Sequence, residues 1–313
     1  MAAEQSDCTI DIIAFGSCYV DMNVPGFPIG TDGIPNESEI VGGRYELTAG
    51  GSAVNFCRTM EAAGVHSTFI GMAGADPMGD MLHALMQQSG ISPHLVRRDD
   101  LQTMISFNPT SNEGGHIMQV AGSATEALGP ETVLPALREI IIDAKLLYIG
   151  GAFKLRSMHA AYGEIADACD ESGTAIVLDH GRVHSSTDEA TTDTIRNLAL
   201  RSRYYLPSGQ EFMTLWDVDS IEAGLRKVSK LSAQTKTVVK DGSNGAYFLQ
   251  EDEIINIRPS RVETVTNATG AGDNFNAGYI AAILHGNTTE AAVSHGCAVA
   301  AAHITGRPAP ELQ

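Results

Sequence analysis

Short apolar runs alternate with longer amphipathic stretches along most of this chain. Ile10–Phe15, Thr68–Met72, Lys145–Gly150, Ala175–Asp179, residues 203–206 and Lys236–Lys240 are brief and apolar, as buried strands are. Helical spacing is predicted over 53–63, 80–89, 132–140, 157–172, 189–201 and 219–231, and again after Asp273. Unbroken apolar strands joined by helices predict a mostly parallel α/β sheet covered on both faces, with a hairpin at 245–257. Two segments, about 22–47 and 99–122, depart from this pattern by being polar and rich in turn residues. They are expected to form antiparallel strands, at 38–45 and at 103–108 with 116–120, that pair into a small lid over one end of the sheet. Without an internal repeat or linker, residues 1–313 read as a single domain carrying that lid.

The stretch Thr266–Leu284, TNATGAGDNFNAGYIAAIL, combines small residues with an apolar helical run. Phe275, Tyr279, Ile280 and Ile283 recur as one helix face would require. Gly270 and Gly272 free the backbone for close approach, and the unpaired N–H groups of a first helical turn attract anions. Asp273 would then sit beside the anion, placed to take a proton from an alcohol next to a phosphoryl group. The plainer alternative is an acidic residue favoured by the helix dipole alone.

Composition narrows the partners. The 313-residue chain carries a net charge of −18, which speaks against a basic surface for nucleic acid or anionic membranes. A phosphorylated ligand must therefore be held by local dipoles and a few cations. Cys8, Cys18, Cys57, Cys169 and Cys297 show neither CxxC spacing nor an even count, so neither zinc nor a disulfide framework is indicated. The N-terminal MAAEQSDCTID lacks an apolar signal core and no apolar run reaches membrane-spanning length, so a cytoplasmic protein is expected.

Four motifs in order resemble the ribokinase-like (PfkB) family of carbohydrate and nucleoside kinases. Ala268-Thr269-Gly270-Ala271-Gly272-Asp273-Asn274-Phe275 is close to that family's D-T-x-G-A-G-D-x-F signature. Gly50-Gly51-Ser52-Ala53-Val54-Asn55 resembles its G-G-x-x-x-N stretch, followed at the family's spacing by residues 69–79. Val238 to Ala246 is similar to the strand and glycine turn beside the nucleotide.

The resemblance implies a three-layer αβα fold with a β lid, and an ATP- and Mg²⁺-dependent phosphotransferase. It assigns Asp273 as general base, Gly270, Ala271 and Gly272 as the anion hole, and Asp21, Gly50, Gly51 and Asn55 as acceptor contacts. Lys240, Gly242 and Ser208 fall at nucleotide positions, and Glu211 at a water-mediated magnesium position. On the helix-dipole argument Asp273 is expected to stay ionised.

The departures are local. Ser208 replaces the Asn of the family's N-x-x-E, and Asn267-Ala268 replaces Asp-Thr, which is expected to weaken a monovalent-cation site. Asp179-His180-Gly181-Arg182 resembles a D-x-N-x-R stretch, with Arg182 a candidate phosphate clamp or a surface ion-pair partner. His180 and His184 lack the companions of a zinc site, and His295 and His303 fall in an Ala-rich helix.

The expected reaction is transfer to a primary hydroxyl of a small sugar. The alternatives are a nucleoside acceptor, with Tyr19, Phe27, Tyr45 or Phe107 stacking on a base, or a silent sugar-binding relative. A nicotinamide enzyme is rejected, because Gly270, Gly272 and Gly278 lack GxGxxG spacing and lie far from the first strand. An exposed lid edge also suggests a homodimer through the lid.

Overall fold

The computed structural model describes residues 11–27, 43–111, 117–183, 187–262 and 268–312. Strand β1 (Ile12–Phe15) leads into β2 (Tyr19–Pro25) and β3 (Glu46–Gly50), then helix α1 (Ser52–Ala62) and β4 (Ser67–Gly74). Helix α2 (Pro77–Gln88), β5 (Ser92–Arg98), β6 (Ile105–Thr110) and β7 (Gln119–Ala121) follow. The middle of the chain runs α3 (Pro130–Ile140), β8 (Leu146–Gly150), α4 (Tyr162–Ser172), β9 (Ala175–Asp179), α5 (Glu189–Arg201) and β10 (Tyr204–Tyr205). It ends with α6 (Gly209–Trp216), α7 (Ile221–Leu231), β11 (Lys236–Lys240), β12 (Ala246–Gln250), β13 (Glu253–Ile257), α8 (Ala271–Leu284) and α9 (Thr289–Ile304).

Nine strands form one sheet in the order β13-β12-β11-β10-β9-β8-β1-β4-β5. Pairing is parallel from β11 through β5, and β12 runs antiparallel to both of its neighbours, β11 and β13. Alternate side chains of β1 show why the strands are apolar throughout. Ile13 and Phe15 join the core beneath α3–α7, while Ile12 and Ala14 join the core beneath α1, α2, α8 and α9. The expected three layers follow.

Four strands form the second sheet, in the order β3-β2-β6-β7. The two predicted lid segments do pair, but β2 and β6 run parallel to each other, because the intervening chain crosses the large sheet before returning. Only β2–β3 and β6–β7 are antiparallel. The predicted strand at 38–45 falls mainly outside the described residues. Strand β5, SPHLVRR, escaped the apolar-run criterion because it is an edge strand with half-exposed side chains. Helix α6 escaped it by being only eight residues long and opening on Gly209 without a side-chain cap.

Helix α8 corrects the one-face reading. Every residue from Asn274 to Ala282 is buried, so the helix is enclosed on all sides rather than amphipathic. Its neighbour α9 comes so close that a Cβ built on Gly278 would lie 2.8 Å from Val299 Cγ2.

Candidate active site

Gly270 opens α8 from a left-handed backbone conformation, φ 78°, which glycine adopts without strain. The first helical bond of α8 runs from the Asn274 N–H to the Gly270 carbonyl at 2.9 Å, so the Gly272 and Asp273 amides precede the regular ladder. Asn274 Nδ2 donates to the same carbonyl at 2.8 Å, and Thr59 Oγ1 donates to Asn274 Oδ1 at 2.8 Å, which fixes the turn against α1.

Asp273 is half-buried and bonded from α1. Ser52 Oγ donates to its Oδ1 at 2.5 Å and Asn55 Nδ2 to its Oδ2 at 3.0 Å. Burial pushes the carboxyl up to about 6, and the bonds from Ser52 and Asn55 recover only part of that. The downward shift expected from the helix terminus is therefore corrected, since desolvation outweighs the dipole, although a carboxyl near 6 is still mostly ionised at neutral pH. A carboxyl that titrates near 6 is better matched to accepting a proton near neutral pH than an ordinary aspartate.

Behind Asn55 stands Arg58, which sequence reasoning missed. Its Nη2 donates to Asn55 Oδ1 at 3.0 Å and its Nη1 to the Ala49 carbonyl at 2.9 Å. A guanidinium on Oδ1 obliges Asn55 to turn its amide nitrogen toward Asp273. Burial lowers the Arg58 pKa, while Asp21, Asp273 and Glu46 raise it again.

Asp21 lies on β2 of the small sheet. Burial raises its carboxyl to about 6 against the side chains of Ser106 and Asn108 and the charge of Arg58. Gly50 leaves room for this placement of the carboxylate, since a Cβ there would sit 1.8 Å from Asp21 Oδ2. Gly51, at φ 110°, caps α1 and has no room for a Cβ either, which would lie 2.1 Å from the Ser17 carbonyl oxygen.

One turn along α8 the surroundings change sign. Asn276 Nδ2 donates to Asp179 Oδ2 at 2.8 Å and to Tyr148 OH at 3.2 Å, while Lys240 Nζ donates to Asp179 Oδ2 at 2.7 Å and Asn276 Oδ1 at 2.9 Å. Lys240 is thus held in a nearly buried ion pair, with both side chains 11% exposed, rather than solvated at a strand end. Burial raises the Asp179 carboxyl, but Lys240 and Asn276 outweigh it and leave the group below its ordinary value. Next to it His180 is fully buried with Nδ1 2.6 Å from the Gly181 carbonyl, and burial lowers its pKa. His184 lies outside the described residues. His303 Nε2 reaches the Thr269 carbonyl at 2.7 Å, beside the glycine turn.

These groups border a cavity of about 1140 Å³. Of the residues singled out from sequence, Ala271, Gly272, Asp273, Lys240, Gly242, Ser208 and Glu211 line it, together with Ser52, Asp179 and Arg182. Gly270, Asp21, Gly50, Gly51 and Asn55 do not, but Asn55 ties α1 to Asp273. Ser208 Oγ donates to Glu211 Oε2 at 2.5 Å, leaving the other carboxylate oxygen for a partner. Mg²⁺ keeps several waters and needs few carboxylates, so this single carboxylate at the cavity wall fits a water-mediated ion. Asn267 lies outside the described residues. Among those described, no helix is long and apolar enough to cross a membrane.

A half-buried carboxyl at a glycine-opened helix start thus faces a large cavity at the carboxyl ends of a parallel sheet, in the fold of an ATP-dependent phosphotransferase family. The chain belongs to the pfkB family carbohydrate kinases, whose family model matches residues 9–309. It is similar to a ribokinase of Arabidopsis thaliana, 23% identical over 303 residues spanning 92% of this chain and 74% of that one. An adenosine kinase of Schizosaccharomyces pombe is also 23% identical, over 265 residues, 80% of this chain and 77% of that one. Among solved structures, a putative ribokinase II from E. coli in its apo form superposes with a TM-score of 0.81 at 20% identity, covering 94% of this chain and 93% of that one. The same protein in complex with ATP and Mg²⁺ gives 0.80 at 20% identity, covering 96% and 94%. Kinases of this fold use ATP with Mg²⁺.

Proposed function

We propose that this kinase transfers the γ-phosphoryl group of ATP to a primary hydroxyl of a small sugar, with Asp273 as general base. One observation carries the reading: the Asp273 carboxyl stands in the first turn of α8, bonded by Ser52 and Asn55 and raised to about 6. The acceptor hydroxyl gives its proton to Asp273 as its oxygen bonds to the γ-phosphorus. The bond from that phosphorus to the bridging oxygen breaks, and ADP leaves with the electron pair. Gly270, Ala271 and Gly272 present the helix start to the transferring group. Asp21, Gly50, Gly51 and Asn55 contact the acceptor, and Gly50 leaves room for the Asp21 carboxylate. Lys240, Gly242 and Ser208 border the nucleotide, and Glu211 would hold the Mg²⁺ that neutralises its phosphates.

A sugar is favoured over a nucleoside because three of the four candidate base-stacking aromatics are committed elsewhere, while Tyr45 is exposed. Tyr19 belongs to the core, and Phe27 meets Phe107 edge-on at 6.2 Å. The whole chain acts as one domain, with the small sheet as its lid. Met22, Ile105, Met118 and Val120 are exposed on or beside that sheet, which supports a homodimer through it; sedimentation as a monomer at working concentration would dispose of that part. The reading is tested by ATP consumption with Mg²⁺ over a panel of sugars and nucleosides, with the product's phosphorylated position assigned by NMR. Phosphorylation of a sugar's primary hydroxyl is expected. A preference for nucleosides, or no turnover at all, would overturn it.

A further inference from the structure

The charge of the cavity wall is opposite to that of the chain. Lys154, Arg182, Lys240, Arg258 and Arg261 line the cavity, against the three carboxylates Asp179, Glu211 and Asp273, in a protein whose net charge is −18. Lys240 is spent on Asp179. The other four cations form no ion pair among the described residues, although acidic side chains outnumber basic ones 38 to 20. Unpaired cations gathered in a concave site mark where anions bind.

They fall on two flanks. Arg258 and Arg261 follow β13 and line the cavity together with the apolar Phe275, Cys297 and Ala300, a wall that suits the flat base and the phosphates of a nucleotide. Lys154 and Arg182 follow β8 and β9, whose ends touch: a Cβ built on Gly181 would lie 3.0 Å from Gly151 Cα. That second flank adjoins the base. A Cβ on Gly150 would sit 2.9 Å from Ser52 Oγ, the group that donates to Asp273. Met118, beside β7 of the lid, lines the same cavity. The ends of β8 and β9, which carry this pair of cations, therefore adjoin the base, and the lid lines the same cavity.

We propose that the acceptor carries an anionic group, a carboxylate or a phosphate, remote from the hydroxyl that is phosphorylated, and that Lys154 and Arg182 hold it. This rests on the kinase reading above and narrows its substrate class to sugar acids or sugar phosphates. Arg182 supplies a planar fork for two oxygens of the group, and Lys154 a point charge. Asp273 and Asp21 remain for the hydroxyl end.

The test uses the full chain with Mg²⁺ and ATP on matched pairs, sorbitol with gluconate and fructose with fructose 6-phosphate. In at least one pair the anionic member is expected to be favoured at least tenfold in kcat/KM, and the pair that responds separates carboxylate from phosphate. Preference for the neutral member in both pairs would overturn the proposal while leaving the kinase reading intact. Arg182→Gln and Lys154→Gln are each expected to raise KM for the favoured anionic acceptor at least tenfold and to leave KM for ATP within threefold. An equal rise in the KM for ATP would return these cations to the nucleotide and overturn the proposal. If no acceptor turns over, calorimetric titration of gluconate and fructose 6-phosphate in the presence of a non-hydrolysable ATP analogue decides. Binding that is lost in Arg182→Gln would sustain the proposal against a failed kinase reading, and no binding would sink both.

Discussion

Asp273 and Asp179 line one cavity and both are enclosed by protein, yet their protonation is pushed in opposite directions. Asp273 faces neutral donors, Ser52 and Asn55, and burial carries it up to about 6. Asp179 faces the Lys240 ammonium at 2.7 Å and is held below its ordinary value. Desolvation is common to both, so the contacting partner decides the outcome. The lesson is a division of labour: a carboxylate with a buried cation against it stays charged and holds that cation in place. A carboxylate given only neutral donors is left ready to exchange a proton.

The largest effect that would break or sharpen this contrast is expected from Asp273→Asn. Loss of the base should lower kcat by about 10²–10⁴-fold, while ATP affinity by equilibrium titration stays nearly unchanged. The same variant should melt at a higher temperature. A folded pKa raised above its unfolded value means that the native state binds more protons between about pH 4 and 6, so ionising this group costs stability as pH rises through that window. Asp179 has the reverse sign, its contribution being present at neutral pH and lost only on acidification below its lowered pKa.

Next in size is Lys240→Met, which leaves Asp179 buried without its cation. A loss of about 3–5 kcal/mol is expected in denaturant melts, largely recovered when Asp179→Leu is added, since replacing both members of a buried pair is often near neutral. Recovery only by restoring the lysine would mean that Lys240 acts on stability through something other than Asp179. A smaller effect is expected from Arg58→Met. Freed from the guanidinium, the Asn55 amide no longer has its nitrogen directed at Asp273, and kcat should fall by about tenfold, comparable to losing one hydrogen bond to a charged group. An unchanged kcat would detach Arg58 from the base.

Much of this was legible in the sequence where one physical signal was strong. The apolar strands Ile12–Phe15, Leu146–Gly150 and Ala175–Asp179 announce a sheet buried on both faces. The glycine-opened start of α8 announces an anion site with Asp273 in it. What periodicity could not supply was pairing at a distance. Paired residues of β2 and β6 lie 85 positions apart, Val20 opposite Ile105, and nothing local to either strand fixes that parallel register. Ser52 lies 221 residues before its partner Asp273, so its role appears only when α1 meets α8, whereas Arg58 reaches Asn55 within one helical turn. Asn276 is the exception that a sharper eye would catch, a polar residue inside an apolar helical run and therefore in need of a buried partner. The direction of the Asp273 shift was misjudged because a dipole can be seen in sequence and desolvation cannot.

The claim that Asp273 is the titrating base is tested most directly by the pH dependence of kcat/KM in the wild type beside Ser52→Ala. In the wild type, activity should fall as pH drops through about 6, since the base works only when ionised. A phosphate group on the nucleotide also titrates near 6, but its titration does not depend on Ser52. Removing the Ser52 hydroxyl deletes a bond that stabilises the ionised carboxylate, so the inflection should move to higher pH. An inflection that stays in place in Ser52→Ala, or a profile flat from pH 5 to 8 in both proteins, would contradict the assignment.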